Sequence, residues 1–222
     1  MKHLKPFLSL LLIAYYLTAF TQQVEYPYAE DIKRFKENDI LNPPPQHGIL
    51  FVGSSSFTKW TDVQDYFPEH TIINRGFGGS TLLDQIHYAE DIIFPYQPKQ
   101  IVIYCGENDL AYSETMSGEM VAKLFIMLFN MIRTELPEVQ ITYVSMKPSP
   151  SRWHLAEKMT EGNNSIREFL AKQVNTGFVN IWNDMLNAYH QPDSSLFIDD
   201  MLHMNADGYK IWQKRIGPEL EK

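Results

Sequence analysis

Ile49-Leu50-Phe51-Val52-Gly53-Ser54-Ser55-Ser56-Phe57-Thr58-Lys59-Trp60 is the stretch on which the fold turns. Its first four residues form an unbroken apolar run rich in β-formers, the pattern of a strand buried on both faces. Gly53 ends the run, and three hydroxyl side chains stand where the chain must leave the sheet. Open α/β sheets bind ligands outside the carboxyl ends of their strands, so a serine at this point is a candidate nucleophile. The same cluster also suits a turn that caps the next helix. The rest of the chain has to choose between the two.

Working outward, the pattern of a short apolar strand recurs at Thr71–Asn74, Gln100–Cys105, Gln140–Met146 and Phe178–Trp182. The segments between have helical spacing. Tyr28, Ile32, Phe35 and Lys36 predict a leading helix over 28–39, stopped by Pro43-Pro44-Pro45. Leu82, Leu83, Ile86, Ala89 and Ile93 predict one helical face after the glycine-rich turn Arg75–Ser80. Ser117 and Glu119 suit the start of a helix through Val121, Phe125, Leu128 and Ile132 to Pro137. A further helix is expected over 155–174, with Gly162 as the place where it would break, and a last one from about Asn205. Strands alternating with helices, each strand continuously apolar, imply a five-stranded parallel sheet covered on both faces: a three-layer α/β/α sandwich.

Composition narrows the function. The 222 residues are 44% hydrophobic and 21% charged, ordinary for a folded domain. A net charge of -8 leaves no basic footprint for nucleic acid or anionic lipid. Cys105 is the only cysteine, which excludes an intrachain disulfide and a cysteine-rich metal site. His47, His70, His87, His154 and His190 lack metal-ligand spacing. The glycine-rich Arg75–Ser80 matches neither a P-loop nor a dinucleotide fingerprint.

The amino terminus reads separately. Met1-Lys2-His3-Leu4-Lys5 is a basic n-region, and Pro6 to Phe20 is an almost uncharged apolar run, short for a membrane span. It is expected to be a signal peptide, residues 1–21, cleaved near Ala19 to Gln22, with an uncleaved anchor as the rival. Residues 22–222 then form a single domain, secreted or periplasmic, with no stable membrane anchor after cleavage.

Four loops carry groups that acyl transfer needs. The serine cluster follows the first strand, and Gly78-Gly79, with backbone N–H groups open to close approach, follows the second. Gly106-Glu107-Asn108-Asp109 follows the third, and Asp200-Met201-Leu202-His203 precedes the last helix. In a parallel sheet all four open on one edge. Each also has a plain reading: an Asx turn for Asn108-Asp109, a tight turn for Gly78-Gly79, a loop histidine and a helix cap for the last pair.

Taken together and in this order, Gly53-Ser54-Ser55-Ser56, Gly79, Gly106-Glu107-Asn108-Asp109 and Asp200-Met201-Leu202-His203 resemble the four blocks of the SGNH (GDSL-type) hydrolase family. The resemblance covers residues 47–218. It is nearest to the branch with bacterial esterases and platelet-activating-factor acetylhydrolase-like proteins. It implies a flavodoxin-like sandwich and a serine esterase with no metal or organic cofactor. By position it makes Ser55 the nucleophile, His203 the base and Asp200 its orienting partner. The oxyanion hole would be Ser55 N–H, Gly79 N–H and the Asn108 side-chain amide. One residue departs: Ser54 stands where the family has the aspartate of G-D-S, so the hydrogen bonding of the nucleophile turn is expected to differ.

The chemistry agrees with the resemblance. A serine hydroxyl needs a base to take its proton, and a carboxylate fixes the imidazole that serves. The α/β-hydrolase elbow is excluded, because Phe57 stands where its second glycine belongs. The expected substrate is a small ester, an acylated carbohydrate or a lipid, with short acyl groups preferred. Phe57, Trp60, Phe77 and Trp153 are either core or a platform for a sugar ring. A lysophospholipase, an O-acyltransferase and a non-catalytic carbohydrate-binding domain are the alternatives.

Overall fold

The computed structural model describes residues 26–222; the expected signal peptide lies outside the described residues. Five strands, β1 (Ile49–Gly53), β2 (Ile72–Gly76), β3 (Gln100–Tyr104), β4 (Gln140–Val144) and β5 (Thr176–Val179), form one parallel sheet in the order β2-β1-β3-β4-β5. The order reverses between β1 and β3, which is where open sheets of this type leave a crevice at their carboxyl edge. Gly53 stands opposite both Gly76 and Tyr104, so the loops after β1, β2 and β3 leave the sheet at the same height.

Alternation along β1 shows how the layers are built. Leu50 and Val52 face one core with α1 (Ala29–Leu41), α3 (Leu82–His87), α5 (Gly118–Glu135) and α6 (Ala156–Leu170). Ile49 and Phe51 face the other, with the one-turn helix α2 (Ser55–Thr58) and α7 (Ala206–Ile216). A short helix α4 (Glu107–Tyr112) follows β3 directly. Among the described residues no helix is long and apolar enough to cross a membrane.

The expected helix starts are chemically as read. The Ser117 hydroxyl accepts from the N–H of Met120, and the Asn205 side chain accepts from the N–H groups of Asp207 and Gly208. Three expectations are corrected. The helix after the glycine turn ends at His87; Tyr88 leaves helical geometry, a second turn covers Ala89–Ile92, and Leu83 is exposed. Gly162 does not break α6. A Cβ on Gly118 would stand 2.3 Å from Lys158 O and 2.4 Å from Gly162 N, so the two glycines let α5 and α6 cross with backbones almost touching. Finally, the Gly106–Asp109 block is largely helical, because its turn is continued as α4.

Candidate active site

Gly53 makes the turn at the end of β1 possible. Its φ is 141°, and a Cβ there would lie 1.9 Å from Tyr104 O. Ser54 N–H donates to Tyr104 O at 3.0 Å, and the chain enters α2 with Ser54 as its cap. Both readings of the serine cluster therefore hold at once: one serine caps a helix, and that helix presents the next. Ser54 is 7% exposed and Ser56 1%, whereas Ser55 is half-buried and reaches the edge.

Ser55 Oγ lies 2.9 Å from Nε2 of His203, and His203 Nδ1 lies 2.6 Å from Asp200 Oδ2. The D-x-x-H segment folds back because Met201 adopts φ 55° and Asp200 Oδ1 accepts from the N–H groups of Leu202 and His203, at 2.9 and 2.8 Å. Partial burial pushes the Asp200 carboxyl up. The bonds from the His203 ring and from the two backbone N–H groups outweigh it and hold the pKa at about 2. Asp200 is thus ionised across the working pH range.

The glycine turn lies against Ser55: a Cβ on Gly78 would be 3.8 Å from the Ser55 Cβ. Gly79 has φ 86°, and its N–H has no acceptor among the described residues. Two phenols that sequence reasoning did not single out flank it. A Cβ at Gly79 would meet the hydroxyls of Tyr28 at 3.1 Å and Tyr112 at 3.4 Å.

Asn108 is buried and fully engaged. Its Nδ2 donates to Ser54 Oγ at 2.8 Å and to Ser80 O at 2.9 Å, while its Oδ1 accepts from Arg152 Nη2 at 2.8 Å. Ser55 N–H also donates to Ser54 Oγ, at 2.6 Å. The serine that replaces the usual aspartate therefore keeps an acceptor in the nucleophile turn. It also gathers onto one oxygen two of the three donors expected to form the oxyanion hole. Asp109 holds the other side of the edge, both carboxylate oxygens accepting from Leu82 N–H at the start of α3.

Lys147 and Arg152, in the loop after β4, are the residues that sequence reasoning missed. Lys147, 1% exposed, pairs with Glu107 at 2.9 Å, and Glu107 also accepts from the Tyr104 hydroxyl. Burial drives the Lys147 pKa down, opposed by the Glu107 charge. Ser151 N–H donates to Met201 O at 3.1 Å, and Arg152 reaches Asn108. One loop thus grips Glu107, Asn108 and the D-x-x-H turn. Its signal was a lysine directly after a buried strand, a place where lysine is rare unless paired.

Three of the four aromatics are core and not platform. Phe57, Trp60 and Phe77 are 1% exposed or less, packed around Phe51, Tyr209 and Tyr88. Trp153 is half-buried, its ring 6.1 Å from that of Trp182. Cys105 is a packed thiol whose pKa burial raises well above the usual value. Arg75 is taken up by an ion pair with Asp39 and by the rings of Phe35 and Tyr96. No group of three His, Cys, Asp or Glu among the described residues is placed to hold a metal.

A parallel α/β/α sandwich carrying a Ser–His–Asp relay on its carboxyl edge has the architecture of an SGNH-type hydrolase. The sequence places it more closely: residues 50–211 match the GDSL-like lipase/acylhydrolase family, and the chain belongs to that family. No curated protein is a significant sequence match. Solved structures are similar in fold. A Streptococcus pneumonia protein provisionally assigned as a platelet activating factor superposes with a TM-score of 0.75 at 17% identity, covering 96% of this chain and 99% of that one. A GDSL-like lipase from Bacteroides thetaiotaomicron gives 0.69 at 20% identity, covering 85% and 96%. A catalytic mutant of an acetylxylan esterase from Geobacillus stearothermophilus gives 0.62 at 16% identity, covering 79% and 94%.

Proposed function

We propose that the protein is an exported serine esterase that removes short acyl groups from oxygen through an acyl-enzyme on Ser55. The observation that carries this reading is the relay Ser55 Oγ–His203–Asp200, at 2.9 and 2.6 Å, beside a Gly79 N–H with no acceptor among the described residues. In this reading Ser55 Oγ attacks the ester carbonyl while His203 Nε2 takes its proton. Asp200 accepts from Nδ1–H and stabilises the imidazolium. His203 then returns the proton to the leaving alcohol, and water repeats the sequence on the acyl-enzyme.

The tetrahedral oxygen takes its hydrogen bonds from Gly79 N–H, Ser55 N–H and Asn108 Nδ2. In the free protein the last two rest on Ser54 Oγ. Ser80 O is fixed in the backbone, whereas a serine hydroxyl turns about one bond. The Asn108 hydrogen that passes to the substrate is therefore the one on Ser54, and Ser54 must turn aside or share it.

Preference for short acyl groups and a carbohydrate alcohol is supported from two sides. The Gly79 side of the site is crowded by the Tyr28 and Tyr112 hydroxyls. The half-buried Trp153 follows Arg152, which reaches Asn108, so an aromatic suited to a sugar ring stands on a loop that touches the site. One structural neighbour is an acetyl-xylooligosaccharide esterase. Export rests on the n-region and apolar run of residues 1–21. The test is hydrolysis of acetylated sugars, p-nitrophenyl esters of increasing length and lysophospholipids under identical conditions. Rates that fall beyond butyrate, with acetylated sugars cleaved, support the proposal. Rates that climb to octanoate, or cleavage of lysophospholipid alone, replace it with the lipid-directed alternative.

A further inference from the structure

We infer that Arg152 is a positioning residue of the oxyanion hole, acting on the reaction through the amide of Asn108. The inference rests on the acyl-transfer reading above and adds a residue that neither the four-block motif nor the relay contains.

Every hydrogen-bonding group of the Asn108 side chain is engaged. A primary amide has two N–H donors and one acceptor oxygen. In Asn108 both donors are used, on Ser54 Oγ and Ser80 O, and the oxygen is held by Arg152 Nη2 at 2.8 Å, a length usual for a charge-assisted bond. Arginine has donors and no acceptor, so the amide can face it only oxygen-first. The contact fixes which end of Asn108 points toward Ser55. It also polarises the amide: a cation on the oxygen makes the two N–H groups stronger donors, an effect transmitted along hydrogen-bonded chains.

The second observation is electrostatic. Arg152 has no carboxylate within ion-pair distance among the described residues, although it is half-buried. Lys147, on the same loop, is neutralised by Glu107. The positive charge left over in this loop is thus the one on the back of Asn108. When a substrate carbonyl becomes an oxyanion on the far side of that amide, the charge is placed to stabilise it, in a site where water is partly excluded.

The third observation is mechanical. Arg152 lies in the turn Pro150–Leu155 at φ -115°, ψ 16°, outside helical geometry, and the preceding Ser151 N–H is tied to Met201 O. The turn is anchored to the D-x-x-H segment, so Arg152 presents its guanidinium from a backbone that already carries the catalytic histidine's loop.

The test is a cycle of Arg152→Met and Asn108→Ala, singly and together, with Arg152→Lys as the charge-preserving variant and Ser55→Ala as the control. Two quantities are read on purified, folded protein with unchanged thermal melting. One is kcat and KM for p-nitrophenyl acetate; the other is the rate of covalent labelling by a fluorophosphonate, which needs no knowledge of the natural substrate. Arg152→Met is expected to lower kcat and the labelling rate together by roughly tenfold, with KM within about twofold, and Arg152→Lys to recover part of the loss. In the Asn108→Ala background the same change is expected to have no further effect, because the amide through which it acts is gone. The inference is overturned if Arg152→Met leaves kcat unchanged, if it changes only KM, or if its penalty persists undiminished without Asn108. Should Asn108→Ala itself be silent while Ser55→Ala is dead, the oxyanion assignment falls and the inference with it. Should Ser55→Ala retain full activity, it is the acyl-enzyme reading on Ser55 that fails.

Discussion

Ser54, Ser55 and Ser56 are three identical side chains in a row, and only their surroundings give them different work. Ser55→Ala is expected to abolish hydrolysis, because it removes the hydroxyl 2.9 Å from His203. Ser54→Ala and Ser56→Ala are expected to leave a measurable rate; a dead Ser54→Ala beside an active Ser55→Ala would put the nucleophile one residue away. Asn108→Ala should lower kcat by roughly a hundredfold or more with a smaller change in KM, since the amide binds most strongly to an oxygen that has gained charge. An unchanged kcat would remove it from the oxyanion hole. Asp200, held at about 2, stays charged across the working pH range and so keeps its bond to the His203 ring throughout. The meeting of Ser55, His203 and Asp200 was legible in sequence, because these residue types stand in loops that a parallel sheet sends to one edge. Arg152 was not, because a cation in a loop reveals its partner only when the loop is folded; Lys147 signalled that it had a partner, but not which one.

At the scale of elements, the loop after β4 and the start of α3 set the stability of the edge. Lys147→Met should cost about 3–5 kcal/mol, because it leaves the Glu107 carboxylate buried without its counter-charge. A melting temperature within a degree or two of the parent would contradict that. Asp109 gives a pH signature. Burial, only partly offset by the N–H groups of Leu82 and Asp109 itself, pushes its pKa up to about 7 from an ordinary 3.8. The native state therefore holds a proton that the unfolded chain releases. The associated stability is fully present below the unfolded value and is lost as pH rises through about 7. Denaturant midpoints of Asp109→Asn, which keeps an acceptor for Leu82 N–H, should vary less than the parent's across this window. An unchanged pH profile would show that Asp109 is ionised in the native state. β1 and β3 were readable because a buried apolar run has one use in a sheet covered on both sides. The edge strand β5 was expected at Phe178–Trp182 and lies at Thr176–Val179, because an edge strand is only partly buried and its pairing with β4, not an apolar run, sets its bounds. The misreadings came where tertiary packing decides: Gly162 looked like a helix breaker and is a crossing point with Gly118.

For the whole molecule, the sequence could show that all the chemistry gathers on one edge, because a parallel sheet sends every strand-end loop the same way. It could not separate platform from core. Phe57, Trp60 and Phe77 lie next to the site residues in sequence, yet they fill the layers on either side of the sheet, and only Trp153 stays near solvent. Length of acyl chain and identity of the alcohol belong to this scale, since they depend on how the loops leave room above Ser55. The central claim, that this edge is a serine esterase site, is tested most directly by labelling the folded protein with a fluorophosphonate and mapping the adduct by peptide mass spectrometry. One adduct is expected, on Ser55, formed slowly when His203 is replaced by alanine and absent when Ser55 is. An adduct elsewhere, or full hydrolytic activity in a protein that the reagent does not modify, would contradict it.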